Sequence, residues 1–185
     1  MKVITELSAP SFLIAAPQLR DPNFRRSVIL LLEMNEKGAM GLVLSNASEI
    51  DTGTFFRSMQ LDCMGNPQDS IYVGGPVQTD RAFILHSPAE AGPETEEVLA
   101  GVQISYSIES LRRLSHTRPQ RMRIYLGYSG WAPDQLADEI GEGAWLVHEA
   151  SSRLIFGHPS VDPWHEAFRE MGIEPGQLIH SNVVH

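Results

Sequence analysis

The sequence holds one cysteine, Cys63, and two lysines, Lys2 and Lys37. A lone thiol excludes an intrachain disulfide and a multi-cysteine zinc site, and it is consistent with a reducing compartment, so a cytoplasmic protein is expected. Long apolar stretches are also missing: the runs at 12–16 and 28–32 are too short for a signal-peptide core or a membrane-spanning helix, and no membrane association is expected. The seven histidines are scattered, without the H-E-x-x-H spacing that puts two imidazoles on one helix face. No metal and no cofactor are expected. There is no internal repeat, no low-complexity tract and no linker rich in Pro and Ser, which predicts one folding unit over 1–185.

What is present is the composition of a compact domain. Of 185 residues, 42% are hydrophobic and 20% charged, enough to bury a sizeable core without a covalent staple. The net charge is −9 and the pI about 5.2, a field that repels phosphate backbones, so direct nucleic-acid binding is not expected. Nearly all the positive charge is arginine, which suits planar, bidentate contacts with carboxylate or phosphate.

Apolar runs bounded by turn residues predict buried strands at 12–16 and 27–34, with 39–44 returning as a hairpin across Asn35, Glu36, Lys37 and Gly38. A helix is expected at 52–61 and strands at 71–73 and 81–86. The Pro-, Gly- and Glu-rich stretch 88–97 reads as a mobile acidic loop before a strand at 102–106. Ile108, Leu111 and Leu114 share one face of a helix over 107–116. In 121–126 the period becomes two, predicting a half-buried strand with Met122, Ile124 and Leu126 inward and Arg121, Arg123 and Tyr125 outward. A helix after Pro133, a strand at 144–148 and a last helix carrying Trp164, Phe168 and Met171 on one face complete the chain. Hairpin strands mixed with scattered helices favour an α+β fold over a doubly wound sheet.

The stretches LIAAPQLRDPNFRRSVILLLE (13–33), GAMGLVLS (38–45), YVGGPV (72–77), RAFILHSP (81–88) and GYSGWAPDQLADEIGEGAWLV (127–147) together resemble the YqgE/AlgH family. The resemblance implies an α+β fold whose bent sheet forms an incomplete barrel with helices packed around it. It also implies a cytosolic bacterial protein of a kind often labelled a transcriptional regulator. Two positions depart from the family pattern: Met34 stands where His is usual, and the chain ends in SNVVH in place of the more usual Gly-His-Ala type of ending. Carried over residue by residue, the pattern marks Pro17, Asp21, Pro22, Phe24, Arg26, Ser27, Gly74, Gly75, Pro76, Arg81, His86, Gly127, Gly130, Trp131, Gln135, Glu139 and Trp145.

Several of these group into candidate sites. Gly74 and Gly75, following a strand and preceding Arg81, are placed to offer backbone N–H groups to an anion, although a tight turn explains the same pair. Asp21, Arg26 and Ser27 would line a pocket with Trp131, Gln135 and Glu139 if the two segments meet; the alternative is an internal salt bridge from Asp21 or Glu139 to an arginine. His86 is placed to act as acid or base near Arg81, or as a hydrogen-bonded structural group. Gly127-Tyr128-Ser129-Gly130-Trp131 matches a nucleophile elbow until Trp131 replaces the final Gly, so a turn between strand and helix is favoured over a catalytic serine. Arg112, Arg113, His116, Arg118, Arg121 and Arg123 form one basic cluster, read as a solvated face paired with nearby acids.

The leading expectation is a non-enzymatic binding protein that takes a small anion or a protein partner in a crevice near 74–81 and 127–139. A regulator acting on DNA or through a partner is one alternative. An enzyme of hydrolase or transferase type with His86 or Glu139 as base is the other.

Overall fold

The computed structural model describes residues 7–181, so the departure from the family's ending lies, from residue 182 onward, outside the described residues. β1 (Ser11–Ala15) and the first half of β2 (Val28–Asn35) are buried at every position. Their unbroken apolar runs therefore reflect cover on both faces. They pair antiparallel, with Phe12 opposite Leu30, and each such side chain contributes roughly 1.5–3 kcal/mol on burial. Asn35 accepts the Lys37 amide at 2.8 Å through its side chain, and β3 (Gly38–Val43) returns along β2 as the turn residues predict.

β9 (Met122–Trp131) organises the rest. β6 (Val77–His86) runs antiparallel along one of its edges. Two strands share the other edge: β5 (Ser70–Val73) lies parallel to Tyr125 and Leu126, and β3 lies antiparallel to Ser129, Gly130 and Trp131. The fork between them is filled by Gly74, whose N–H donates to Leu126 and whose carbonyl accepts from Val43, both at 2.8 Å. A Cβ on Gly74 would stand 2.3 Å from the Gly127 oxygen, and one on Gly75 would stand 2.1 Å from the Tyr128 carbonyl carbon. The Gly-Gly pair is thus required by backbone packed on backbone.

The path of the sheet is β10-β1-β2-β3-β9-β6-β8-β7, where β7 is Thr95–Leu99, β8 Val102–Ser105 and β10 Trp145–Glu149. β4 (Ala47–Asp51) joins through β5. The sheet bends into an incomplete barrel with helices around it, the α+β arrangement expected. One apolar cluster gathers β1, β2 and β3 with α5 (Pro163–Met171) and α3 (Gln135–Gly141). A second, built on Phe55, Phe56, Ile71, Leu111 and Ile124, seats α1 (Thr52–Ser58) and α2 (Ile108–Thr117). Ser107 caps α2 by accepting from the Ser110 amide, and Asp162 caps α5 from before Pro163. The Trp164 indole donates to the Ala15 carbonyl at 2.8 Å and pins α5 to β1. Among the described residues no helix is long and apolar enough to cross a membrane.

Three local expectations are corrected. The strand at 121–126 is not half-buried: Tyr125 is fully buried against the first cluster while Ile124 faces the second, because β9 has core on both sides. Residues 127–131 are not a turn but the second half of β9, kept in the sheet past a left-handed Gly127. Part of the 88–97 segment is strand: Thr95, Glu96 and Glu97 belong to β7, which pairs with β8 while its glutamates face solvent. Local pattern also leaves β4, α4 (Ser152–Ile155) and α6 (Pro175–Ser181) unread.

Candidate functional site

The segments carrying Asp21, Arg26, Ser27 and Trp131, Gln135, Glu139 do meet, through aromatic rings. Phe24 stacks on Trp131 at 6.2 Å and meets the edge of Trp145 at 5.7 Å. Beneath them the Glu139 carboxylate accepts from the Trp131 indole at 3.0 Å, the Trp145 indole at 2.8 Å and the Gln135 amide at 2.9 Å. Gln135 in turn accepts the Ala132 amide, which fastens the start of α3. Among the described residues Glu139 therefore pairs with two indoles and the Gln135 amide, not with an arginine.

The remaining members disperse. Asp21 accepts the Asn23 amide and closes its own turn, and Ser27, buried, donates to the Phe24 carbonyl at 2.6 Å. Arg26 holds a left-handed backbone with φ of 54° and turns away to α5, where its guanidinium lies 4.9 Å from the Trp164 ring and 3.2 Å from His165 Nε2. Arg81 is exposed and lies over the Phe83 ring at 5.0 Å.

His86 is fully buried. Its Nδ1 lies 2.9 Å from the Ser87 carbonyl, which only accepts, so Nδ1 carries the proton and Nε2 accepts from Ser105 Oγ, also at 2.9 Å. Ser105 accepts in turn from Thr95 at 2.8 Å, a polar chain linking β6, β8 and β7. Burial holds the His86 pKa below the ordinary imidazole range, opposed by the Ser87 carbonyl. Ser129 is likewise fully buried and donates to the Gly74 carbonyl at 3.1 Å, locking the fork described above.

The basic cluster divides. Arg112 and Arg113 extend into solvent beside Glu109 at 3.6 and 3.7 Å, the paired surface expected. Arg121, immediately before β9, and Arg123, its second residue, instead face a cleft. Arg121 lies over Phe156 and Arg123 over Tyr72, each 5.2 Å from the ring centroid. Arg123 also donates to the Gly157 carbonyl. Among the described residues neither guanidinium forms an ion pair. Tyr125, next on the same face of β9, is buried with its ring 5.4 Å from that of Tyr72 and Arg123 beside its hydroxyl; burial pushes its pKa up.

The cleft has two joined lobes, of about 340 and 830 Å³, and both arginines line both. β4, β5 and β9 form one side, and α4, the start of α5 and the 156–162 connection between them form the other. None of the ten candidate residues discussed above, from Asp21 to Glu139, lines either lobe. The signal for this site was the spacing of Arg121 and Arg123 on one strand face. The opposite wall left no comparable periodicity, because α4 is a single turn and 156–162 is irregular.

Comparison with known proteins matches this architecture. A family model described as AlgH-like (DUF179) matches residues 12–176. The UPF0301 protein of Myxococcus xanthus is 41% identical over 92% of this chain and 94% of its own length. The UPF0301 protein of Vibrio cholerae is 35% identical over 90% and 93%. Among solved structures, the solution structure of AlgH from Pseudomonas aeruginosa superposes with a TM-score of 0.73 at 34% identity, covering 95% of this chain and 97% of that one. A crystal structure from Corynebacterium diphtheriae gives 0.78 at 25% identity over 94% and 92%. With a family model spanning the sheet and most helices, and relatives this similar over nearly their whole length, the chain belongs to the AlgH-like family.

Proposed function

We propose that this chain is a non-enzymatic binding protein that holds a small phosphate- or carboxylate-bearing molecule between Arg121 and Arg123. One observation carries the reading: two guanidiniums that form no ion pair among the described residues, each braced on an aromatic ring, line one cleft. Bracing lowers the side-chain entropy lost on binding, and an in-plane N–H edge suits a bidentate oxyanion. The two candidate bases support binding over catalysis, since His86 Nε2 and the Glu139 carboxylate are both engaged by protein donors away from the cleft.

Calorimetric titration with inorganic phosphate and with citrate tests this. Saturable binding that weakens as salt rises is expected, with a loss of tenfold or more in the Arg121→Ala/Arg123→Ala double variant. Arg112→Ala/Arg113→Ala, which removes arginines already beside Glu109, serves as the control and leaves affinity unchanged. Equal binding by both double variants, or no saturable binding by the unaltered protein, overturns the proposal.

A further inference from the structure

We infer that the anion of this cleft is the phosphate of a 5′-mononucleotide whose base occupies the smaller lobe; the inference rests on the anion-binding reading above and names its ligand. Arg121 and Arg123 line both lobes, so an anionic group between them sits at the junction and the rest of the molecule extends away from it.

The smaller lobe, about 340 Å³, combines apolar surface from Met64, Met122 and Ile124 with the polar groups of Asn66, Asp69 and Gln120. That combination suits a flat ring with donors and acceptors along its edge, which buries its faces and hydrogen-bonds in its plane. Asn66 donates one amide hydrogen to Asp69 at 3.1 Å and accepts from the Gln68 amide, leaving its second hydrogen and the other Asp69 oxygen for an in-plane partner. The Asp69 carboxylate repels a second anionic arm here, which disfavours a dicarboxylate or a bisphosphate spanning the junction.

The larger lobe, about 830 Å³, brings two more arginines, but Arg153 and Arg169 are held by Glu166 at 2.8 and 2.9 Å. Glu170 also lies 3.7 Å from Arg153, so these arginines are already paired and the larger lobe offers no second strong phosphate site. The ribose, which links base to phosphate, lies on the small-lobe side of the junction. That favours a monophosphate over a triphosphate. The net charge of −9 opposes an extended polynucleotide, each added phosphate of which would face the same repulsion.

Titration of the unaltered protein with AMP, GMP, CMP and UMP, and with ribose 5-phosphate and inorganic phosphate, tests the assignment. At least one nucleotide is expected to bind tenfold or more tighter than ribose 5-phosphate. The Asn66→Ala/Gln120→Ala variant should remove that advantage and leave inorganic phosphate unchanged, while Arg121→Ala/Arg123→Ala should weaken all three classes. If the Asn66 change lowers the melting temperature, the single exposed change Gln120→Ala, expected to reduce the advantage in part, replaces it. Nucleotides no tighter than ribose 5-phosphate, with phosphate still dependent on both arginines, would sink the nucleotide assignment and leave the anion reading standing. An advantage that survives every small-lobe change would overturn the placement of the base. No binding by any compound would overturn both.

Discussion

The indole N–H of Trp145 donates to the Glu139 carboxylate at 2.8 Å, on the same oxygen that accepts the Trp131 indole at 3.0 Å. Strand β10, the end of β9 and helix α3 are tied at one carboxylate, beneath a Phe24 ring that comes from the loop before β2. Family-pattern residues that look like a ligand pocket on paper form an aromatic clasp.

Glu139→Ala leaves two buried indole donors without their acceptor, and urea denaturation should show a loss of roughly 2–4 kcal/mol. Glu139→Gln keeps an acceptor oxygen and should lose distinctly less. Phosphate affinity, measured in parallel on the folded variants, should not move.

The chain through His86, Ser105 and Thr95 requires neutral imidazole, so the folded protein resists protonating it. With the folded pKa lowered from the ordinary 6.5, the unfolded chain binds the proton first. The stability associated with neutral His86 is full above that value and is lost as pH falls from there through the folded pKa. Melting temperatures measured between pH 8 and 5 should fall in the unaltered protein, and the fall should be shallower in His86→Asn, which cannot titrate.

At the fork, Gly75→Ala drives a methyl group into the Tyr128 backbone, and a loss of about 3 kcal/mol or more, or failure to accumulate as soluble protein, is expected. Ser129→Ala removes one hydrogen bond to Gly74 and should cost roughly 0.5–1.5 kcal/mol by the same denaturation assay.

Arg123→Lys separates charge from geometry. Lysine retains the positive charge but loses the planar fork that reaches Gly157 and lies over Tyr72. Phosphate affinity should drop about tenfold, while stability should fall by only about 1 kcal/mol. An unchanged titration would show that bulk charge alone attracts the ion.

Much of the fold is written locally. Apolar runs between turn residues marked β1, β2 and β3, and the spacing of Ile108, Leu111 and Leu114 marked one face of α2, on which Leu111 and Leu114 are buried while Ile108, in the first turn, is exposed. The hydrophobic alternation of β9 located Met122 and Ile124 on one cluster, but it missed the burial of Tyr125, because alternation reports one covered face and cannot register a second sheet edge or helix arriving from elsewhere.

The candidate site divides along the same line. The sequence alone determined an arginine-rich, lysine-poor positive set, its concentration around residues 112–123, and family membership through motifs spread over the chain. Only the tertiary structure decided which arginines are braced on rings and face the cleft. Arg123 meets Gly157 and Tyr72, residues far from it along the chain, because β5 lies beside β9 and α5 is pinned to β1. Periodicity encodes how each segment hides its own apolar side. Which polar groups then meet across segments is set by strand order and by the close backbone approach that Gly74 and Gly75 permit.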